Sequence, residues 1–132
     1  MKVRWTEDSV RLRITPAELA ALEAREPVGV SLRLPGGGVW SAMIEPGVET
    51  PTRLEANAAS ICIYLHEADR RRLSHPEAEG VYFAPPTADS GVPRFLIEKD
   101  FPCVHPRAIH EEEPTTETFA APPGFDERKG VA

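Results

Sequence analysis

Three groups of residues in this chain have the types and spacing to do chemistry. The first is Cys103-x-His105, with His110 five residues further on, in and just after the stretch FLIEKDFPCVHPR (residues 95–107). A thiolate and an imidazole two apart on extended chain can point to one side, which suits zinc or copper. A closed tetrahedral site needs a fourth ligand, and Cys62 is the only other thiol. The plainer reading is a buried cysteine serving as a small hydrophobe, where Pro102 and Pro106 mark a chain leaving a sheet. A third reading is a reactive thiolate, its pKa lowered by His105 or Arg107. Two cysteines permit a Cys62–Cys103 disulfide by count, but reduced thiols are the expectation for a cytoplasmic protein.

The second group is a set of arginines. In SVRLRI (Ser9–Ile14), Arg11 and Arg13 share one face of a strand, and a basic partner strand, Lys2–Trp5, adds Arg4. Arg33 and Arg53 lie opposite the apolar residues of their own strands. A curved sheet with Arg4, Arg11, Arg13 and Arg33 on its concave side would bind a small anionic ligand, phosphate or carboxylate. Antiparallel barrels that hydrolyse polyphosphates in a tunnel offer an analogy, but Lys2 and Arg4 stand where such a site would want acids. The plainer reading is the wet side of an ordinary sheet.

The third group is Glu98-Lys99-Asp100. On a strand the two carboxylates share a face and the lysine opposes it. Such a pair can do acid–base work or hold a divalent cation. It can equally be a strand end whose carboxylate pairs with Arg11 or Arg13 across the sheet. Other signals fail. LHEAD lacks the second histidine of a zinc-protease helix. LPGGGVW joins two strands, so its glycines make a hairpin turn and not a phosphate loop. ADRRRLSH has no aromatics beside its arginines for stacking bases. No Ser/His/Asp set stands out.

The elements that must position these groups are short. Lys2–Trp5 and Ser9–Ile14 read as a hairpin closed by TEDS. TPAELAALEARE reads as a helix from Pro16 to about Arg25, with Thr15 as N-cap, Glu18 completing a capping box, and Pro16 at the first helical position. Val28–Leu34 and Val39–Ile44 alternate around the turn PGGG, as a hairpin should. Thr52–Ala56 and Ser60–Leu65 follow as strands, then a polar helix from about His66 to Leu73. Gly80–Pro85 and Arg94–Lys99 are the last strands. Val10, Leu12, Ile61, Ile63 and Ile97 belong to one core by this register, with Phe95 and Phe101 also inward. Lys99 would lay its stem on apolar surface and put its amine in solvent.

That rhythm lacks the strand–long helix–strand alternation of a parallel doubly wound sheet. It predicts an α+β fold: a mainly antiparallel curved sheet, or a partly closed barrel, of about seven short strands with one or two short helices. Residues 1–108 form a single domain in this reading, and residues 109–132 an acidic, proline-containing tail, extended or disordered, with Phe119 and Phe125 as its anchors.

MKVRW and SVRLRIT at one end, with LIEKDFPCVHPR and an acidic tail at the other, resemble a family of small uncharacterised bacterial proteins known as a domain of unknown function. Its members open with a strand pair of the form MKIR…SIRLRL and close with EKDFxC. The tail here, TFAAPPGF, departs from the family's phenylalanine–proline pair. The resemblance covers nearly the whole chain and implies a bacterial, single-domain protein. It implies no activity.

Composition narrows the rest. The 132 residues carry a formal charge of −6, and the residues from Glu111 on hold six acids and two bases. That tail therefore accounts for −4 and leaves −2 for the body, which argues against nucleic-acid binding through a basic surface. No apolar run approaches the roughly 20 residues of a membrane-spanning helix. MKVRWTEDSVRLR is charged where a secretion signal needs an apolar core, so a cytoplasmic location is expected. A size of 132 residues, short strands and no coherent catalytic set favour a non-enzymatic binding or interaction module with no cofactor. Its partner would be an unknown protein. An anion-binding protein or small enzyme using the arginine face, and a metal or redox protein centred on Cys103, are the alternatives. Oligomeric state is not set by the sequence.

Overall fold

Alternation of apolar and polar residues becomes alternation of burial. In the segment Ser9–Ile14, Val10, Leu12 and Ile14 are buried while Ser9, Arg11 and Arg13 are half-buried. In Ser60–His66 the same holds for Ile61, Ile63 and Leu65. A computed structural model describes residues 1–84, 91–102 and 118–125. Its elements in chain order are β1 (Lys2–Trp5), β2 (Ser9–Ile14), α1 (Pro16–Glu23), β3 (Val28–Arg33), β4 (Val39–Val48), β5 (Arg53–Ala56), β6 (Ser60–His66), α2 (Glu67–Ser74), β7 (Gly80–Phe83) and β8 (Arg94–Lys99).

The strands form two four-stranded sheets. Sheet A has the order β1-β2-β8-β7 and sheet B the order β3-β4-β6-β5. Both are mixed: β2 runs parallel to β8 and β4 parallel to β6, while every other pairing is antiparallel. The mostly-sheet composition with two short helices matches the α+β expectation. A single antiparallel curved sheet or barrel of seven strands does not; among the described residues there are eight strands in two open sheets. Hairpin-length links fix only which consecutive strands pair. They say nothing about β2 and β8, which lie some eighty residues apart in the chain.

The two sheets turn their apolar faces to each other. Val10, Leu12, Ile14, Val81, Phe95 and Ile97 of sheet A join Ala42, Ile44, Ile61, Ile63 and Leu65 of sheet B in one cluster, with Leu19 and Leu22 of α1 and Leu73 of α2. All five core residues expected from the alternation are in it. Helix α1 starts where its sequence dictates. The Thr15 hydroxyl accepts from the Glu18 N–H at 3.2 Å and the Glu18 carboxylate accepts from the Thr15 N–H at 3.0 Å. These bonds satisfy two amides that a helix N-terminus would otherwise orphan. Arg25, at φ 60, turns the chain out of the helix toward β3.

Lys99 corrects one expectation. It ends the core-facing row of β8 and is buried, and its amine donates to the His75 carbonyl at 2.8 Å instead of reaching solvent. Phe101 is half-buried. Its ring meets those of Phe119 and Phe125 at 6.0 and 4.7 Å, and the Phe119 N–H donates to the Asp100 carbonyl. Thr118–Phe125 thus lies against the end of β8, with Phe125 buried. The expected boundary at residue 108 falls outside the described residues. Among the described residues no helix is long and apolar enough to cross a membrane.

Candidate functional site

Register puts the first group of cations together. Lys2 lies opposite Arg13 and Arg4 opposite Arg11 across β1 and β2, and Arg13 lies beside Glu98 across β2 and β8. Lys2, Arg4, Arg11, Arg13 and Glu98 therefore share the outer face of sheet A. Like charges placed directly opposite repel, and the carboxylates relieve them. Glu98 reaches the Arg13 Nε at 3.3 Å and the Arg11 guanidinium at 3.9 Å. Asp100 takes Lys2 at 3.2 Å. At the other end Asp8 takes Arg94 at 3.2 Å, and its carboxyl is held below the usual range by the Thr6 hydroxyl and then by Arg94. Arg4 makes no ion pair among the described residues.

A cavity of about 180 Å³ opens on this face, lined by Arg11, Arg13, Tyr82 and Phe125 but also by Glu79 and Glu98. An anion entering it would compete with a carboxylate already seated between the two arginines. Arg33 is absent from this face. It ends β3 opposite Val39, in the other sheet. The arginines thus meet in part, as cross-strand ion pairs.

The thiol group divides as well. Cys103, His105 and His110 lie outside the described residues. Cys62 is half-buried on the outer face of β6. Burial pushes its pKa up, Glu45 and Glu55 push the same way, and the hydrogen bond with Tyr64 opposes them. A thiol held protonated in this way is a poor nucleophile near neutral pH. Among the described residues no group of three His, Cys, Asp or Glu side chains could hold a metal ion.

A different feature was not anticipated from the sequence: the edge of sheet B. Among the described residues four strands border open sheet edges, and exposed edges invite pairing unless they are short or charged. Strand β1 has four residues with Lys2 and Arg4; β5 has four with Arg53 and Glu55; β7 has four. Strand β3 has six, and Val28–Leu32 carries no charge. Its apolar row, Val28, Val30 and Leu32, faces inward, yet only Val28 is buried. Leu32 remains 58% exposed, with Leu34 and Val39 also open beside it. Leu32 pairs with Trp40, and Trp40 meets the ring of Trp5 at 4.5 Å. The result is a continuous apolar strip from β3 to the 56%-exposed Trp5 of sheet A.

Two hydrogen bonds fix which backbone groups of β3 face outward. The Leu34 N–H donates to the Gly38 carbonyl at 2.7 Å, so this pair closes the hairpin with a bonded rung. Bonded and non-bonded pairs alternate along an antiparallel ladder. Leu32–Trp40, Val30–Ala42 and Val28–Ile44 are then the bonded pairs of β3 and β4. The Ser41 N–H agrees, because it donates to the Ala59 carbonyl on the opposite side. Gly29, Ser31 and Arg33 consequently aim their N–H and C=O groups at the open edge. The sequence signal that could have revealed this edge is the uncharged run Val28–Leu32 in a strand with one partner close in sequence.

A model of a family of unknown function (DUF7009) matches residues 1–122, and the chain belongs to that family. No curated protein and no solved structure matches it.

Proposed function

We propose that this chain is a binding module and not a catalyst, and that it binds through the open β3 edge and the apolar strip beside it. The observation that carries the reading is the contrast among edges. Strands β1, β5 and β7 are four residues long, whereas β3 offers six with an uncharged centre and an uncovered apolar row. An edge strand of this kind recognises another strand: main-chain hydrogen bonds give affinity, and alternate side chains give selectivity. The charged face of sheet A supports the same choice, since Glu98 already occupies Arg11 and Arg13.

Site-specific photo-crosslinking tests it. A benzophenone amino acid replaces Leu32, or as controls Glu55 on the far edge and Arg4 on sheet A, and the cells that make the protein are irradiated. The reading expects a discrete product from position 32 alone, reproducible with purified components. No product at position 32, or equal products from all three positions, sinks it.

A further inference from the structure

We infer that the strand received by β3 is β3 of a second copy of this chain, paired antiparallel across a two-fold axis at Ser31. Sheet B would then run continuously through both copies. The inference rests on the binding-module reading and names its partner.

Faces and hydrogen bonds together select the arrangement. Directly opposite residues in an antiparallel pair share a face, so the apolar row must meet itself: even-numbered residues of β3 oppose even-numbered ones. Two registers near the strand centre do this. With the axis at Val30, Arg33 would oppose Pro27 of the partner subunit, whose nitrogen has no hydrogen to give the Arg33 carbonyl. With the axis at Ser31, Gly29 opposes the partner's Arg33, and Ser31 opposes the partner's Ser31. Both are bonded pairs, because Gly29, Ser31 and Arg33 aim their backbone groups outward. Every outward N–H and C=O of these three residues then finds a partner. On the inner face Val30 meets the partner's Leu32, and Val28 meets the partner's Leu34.

Charge points to the same occupant. The chain carries −6, of which the residues from Glu111 on hold −4, so the body that bears β3 is left with only −2 to oppose a second copy. The Val28–Leu32 edge adds no charge to oppose that approach and is longer than the uncharged edge strand β7. The antiparallel register sets Arg33 against a glycine, where a parallel one would set Arg33 beside Arg33. Nothing charged on Val28–Leu32 selects a foreign strand, while a second copy matches it residue for residue. Closure by a two-fold also consumes the β3 edges of both copies, so pairing through β3 stops at two.

The test is sedimentation of the intact chain across a wide concentration range, with two variants. Ser31→Pro removes an N–H that points away from β4, so the β3–β4 ladder survives, as proline on an edge strand allows. Leu32→Lys charges the exposed apolar row. The wild type should dimerise, and each variant should sediment at half that mass with an unchanged circular-dichroism spectrum. In a background with Cys62 and Cys103 replaced by serine, Ser31→Cys should crosslink between copies on mild oxidation, because bonded pairs bring Cα atoms within disulfide range, about 5.5 Å. Leu32→Cys should not, since it faces Val30 of the partner subunit. A wild type that is monomeric at every concentration overturns the dimer, as does a dimer indifferent to both variants. A monomer whose Ser31 amide resists hydrogen exchange overturns it too, in favour of cover by another part of the chain. A monomer that still gives a position-32 crosslink to a different protein overturns the second copy and leaves the binding module standing.

Discussion

Sheets A and B are built to one plan. Each consists of two hairpins whose second strands lie side by side in parallel: β1–β2 with β7–β8 in sheet A, β3–β4 with β5–β6 in sheet B. What each shows to solvent differs. Sheet A presents cations answered by carboxylates, with Glu98 shared between Arg11 and Arg13. Sheet B presents on β3 a six-residue edge whose run Val28–Leu32 carries no charge to deter a partner. One plan with two surfaces separates what folding requires from what it does not. Both inner faces must be apolar. The charge pattern of sheet A protects its surface, and the bare edge of β3 has no such role in folding.

The largest effects should be equal in the two sheets, because the plan is shared. Leu12 on the parallel seam of sheet A and Ile63 on that of sheet B are both fully buried. Leu12→Ala and Ile63→Ala should each cost roughly 2–5 kcal/mol, from lost transfer energy and the cavity left behind. Denaturant melts check this. If one variant loses under about 1 kcal/mol, the sheets do not share a single core of the kind described.

Next comes the joint between them. Helix α1 leads the chain from β2 to β3, and Thr15 caps it. Thr15→Ala should cost about 1 kcal/mol, since the Glu18 amide loses its acceptor. A melt unchanged within error would show that the cap contributes nothing to holding the sheets together.

Sheet A's surface should matter less. Glu98→Gln leaves Arg11 and Arg13 facing each other without their shared carboxylate. The cost should be up to about 1 kcal/mol, because all three groups are partly solvated. It should shrink as salt is added. A loss that salt leaves unchanged would mean that Glu98 acts through packing and not through charge.

Lys99 marks where sheet A's alternation carries a charge into the core row. Burial lowers its pKa from the ordinary value of 10.5, against an opposing pull from Glu23. Between the lowered folded value and 10.5 the unfolded chain binds more protons than the folded one, so stability attributable to Lys99 should rise with pH through that window. Lys99→Met should remove the rise. A difference between wild type and variant that stays flat with pH would show that the amine is solvated after all, and one that falls would show that the fold favours its charged form.

Lys99 also shows how far the sequence could be read. Alternation identified which side of β8 faces the core, since Phe95 and Ile97 are inward as expected. It could not say whether the layer above Lys99 would be water or protein. The His75 carbonyl that receives its amine comes from the turn after α2, 24 residues earlier. Direction was hidden for a similar reason. An alternating strand looks the same whether its neighbour is parallel or antiparallel, so the parallel direction of the β2–β8 and β4–β6 pairings was invisible. Arg11, Arg13 and Glu98 were readable as a possible cross-strand set, because strand parity alone fixes their faces. Arg33 was grouped with them because parity does not tell which sheet a strand joins. The β3 edge was legible in composition but not in place, since being an edge is a property of the whole sheet.

The smallest expected effect is the one that separates the two surfaces most sharply. Leu32 belongs by parity to the inner row of β3, where Val28 is buried, yet it is 58% exposed. If its apolarity served folding, replacing it with a charge would be expensive. If it serves binding, the isolated chain should not notice. Leu32→Lys, measured at high dilution where copies are apart, should therefore change stability by no more than about 0.5 kcal/mol, as exposed substitutions do. The lysine stem can still lie along Trp40 while the amine reaches water. The same substitution at Ile63, on the same face of the same sheet but two strands inward, should prevent folding, because a buried unpaired charge costs several kcal/mol. A loss of about 2 kcal/mol or more in dilute Leu32→Lys would place Leu32 in the folding core and remove the apolar edge on which the binding reading depends.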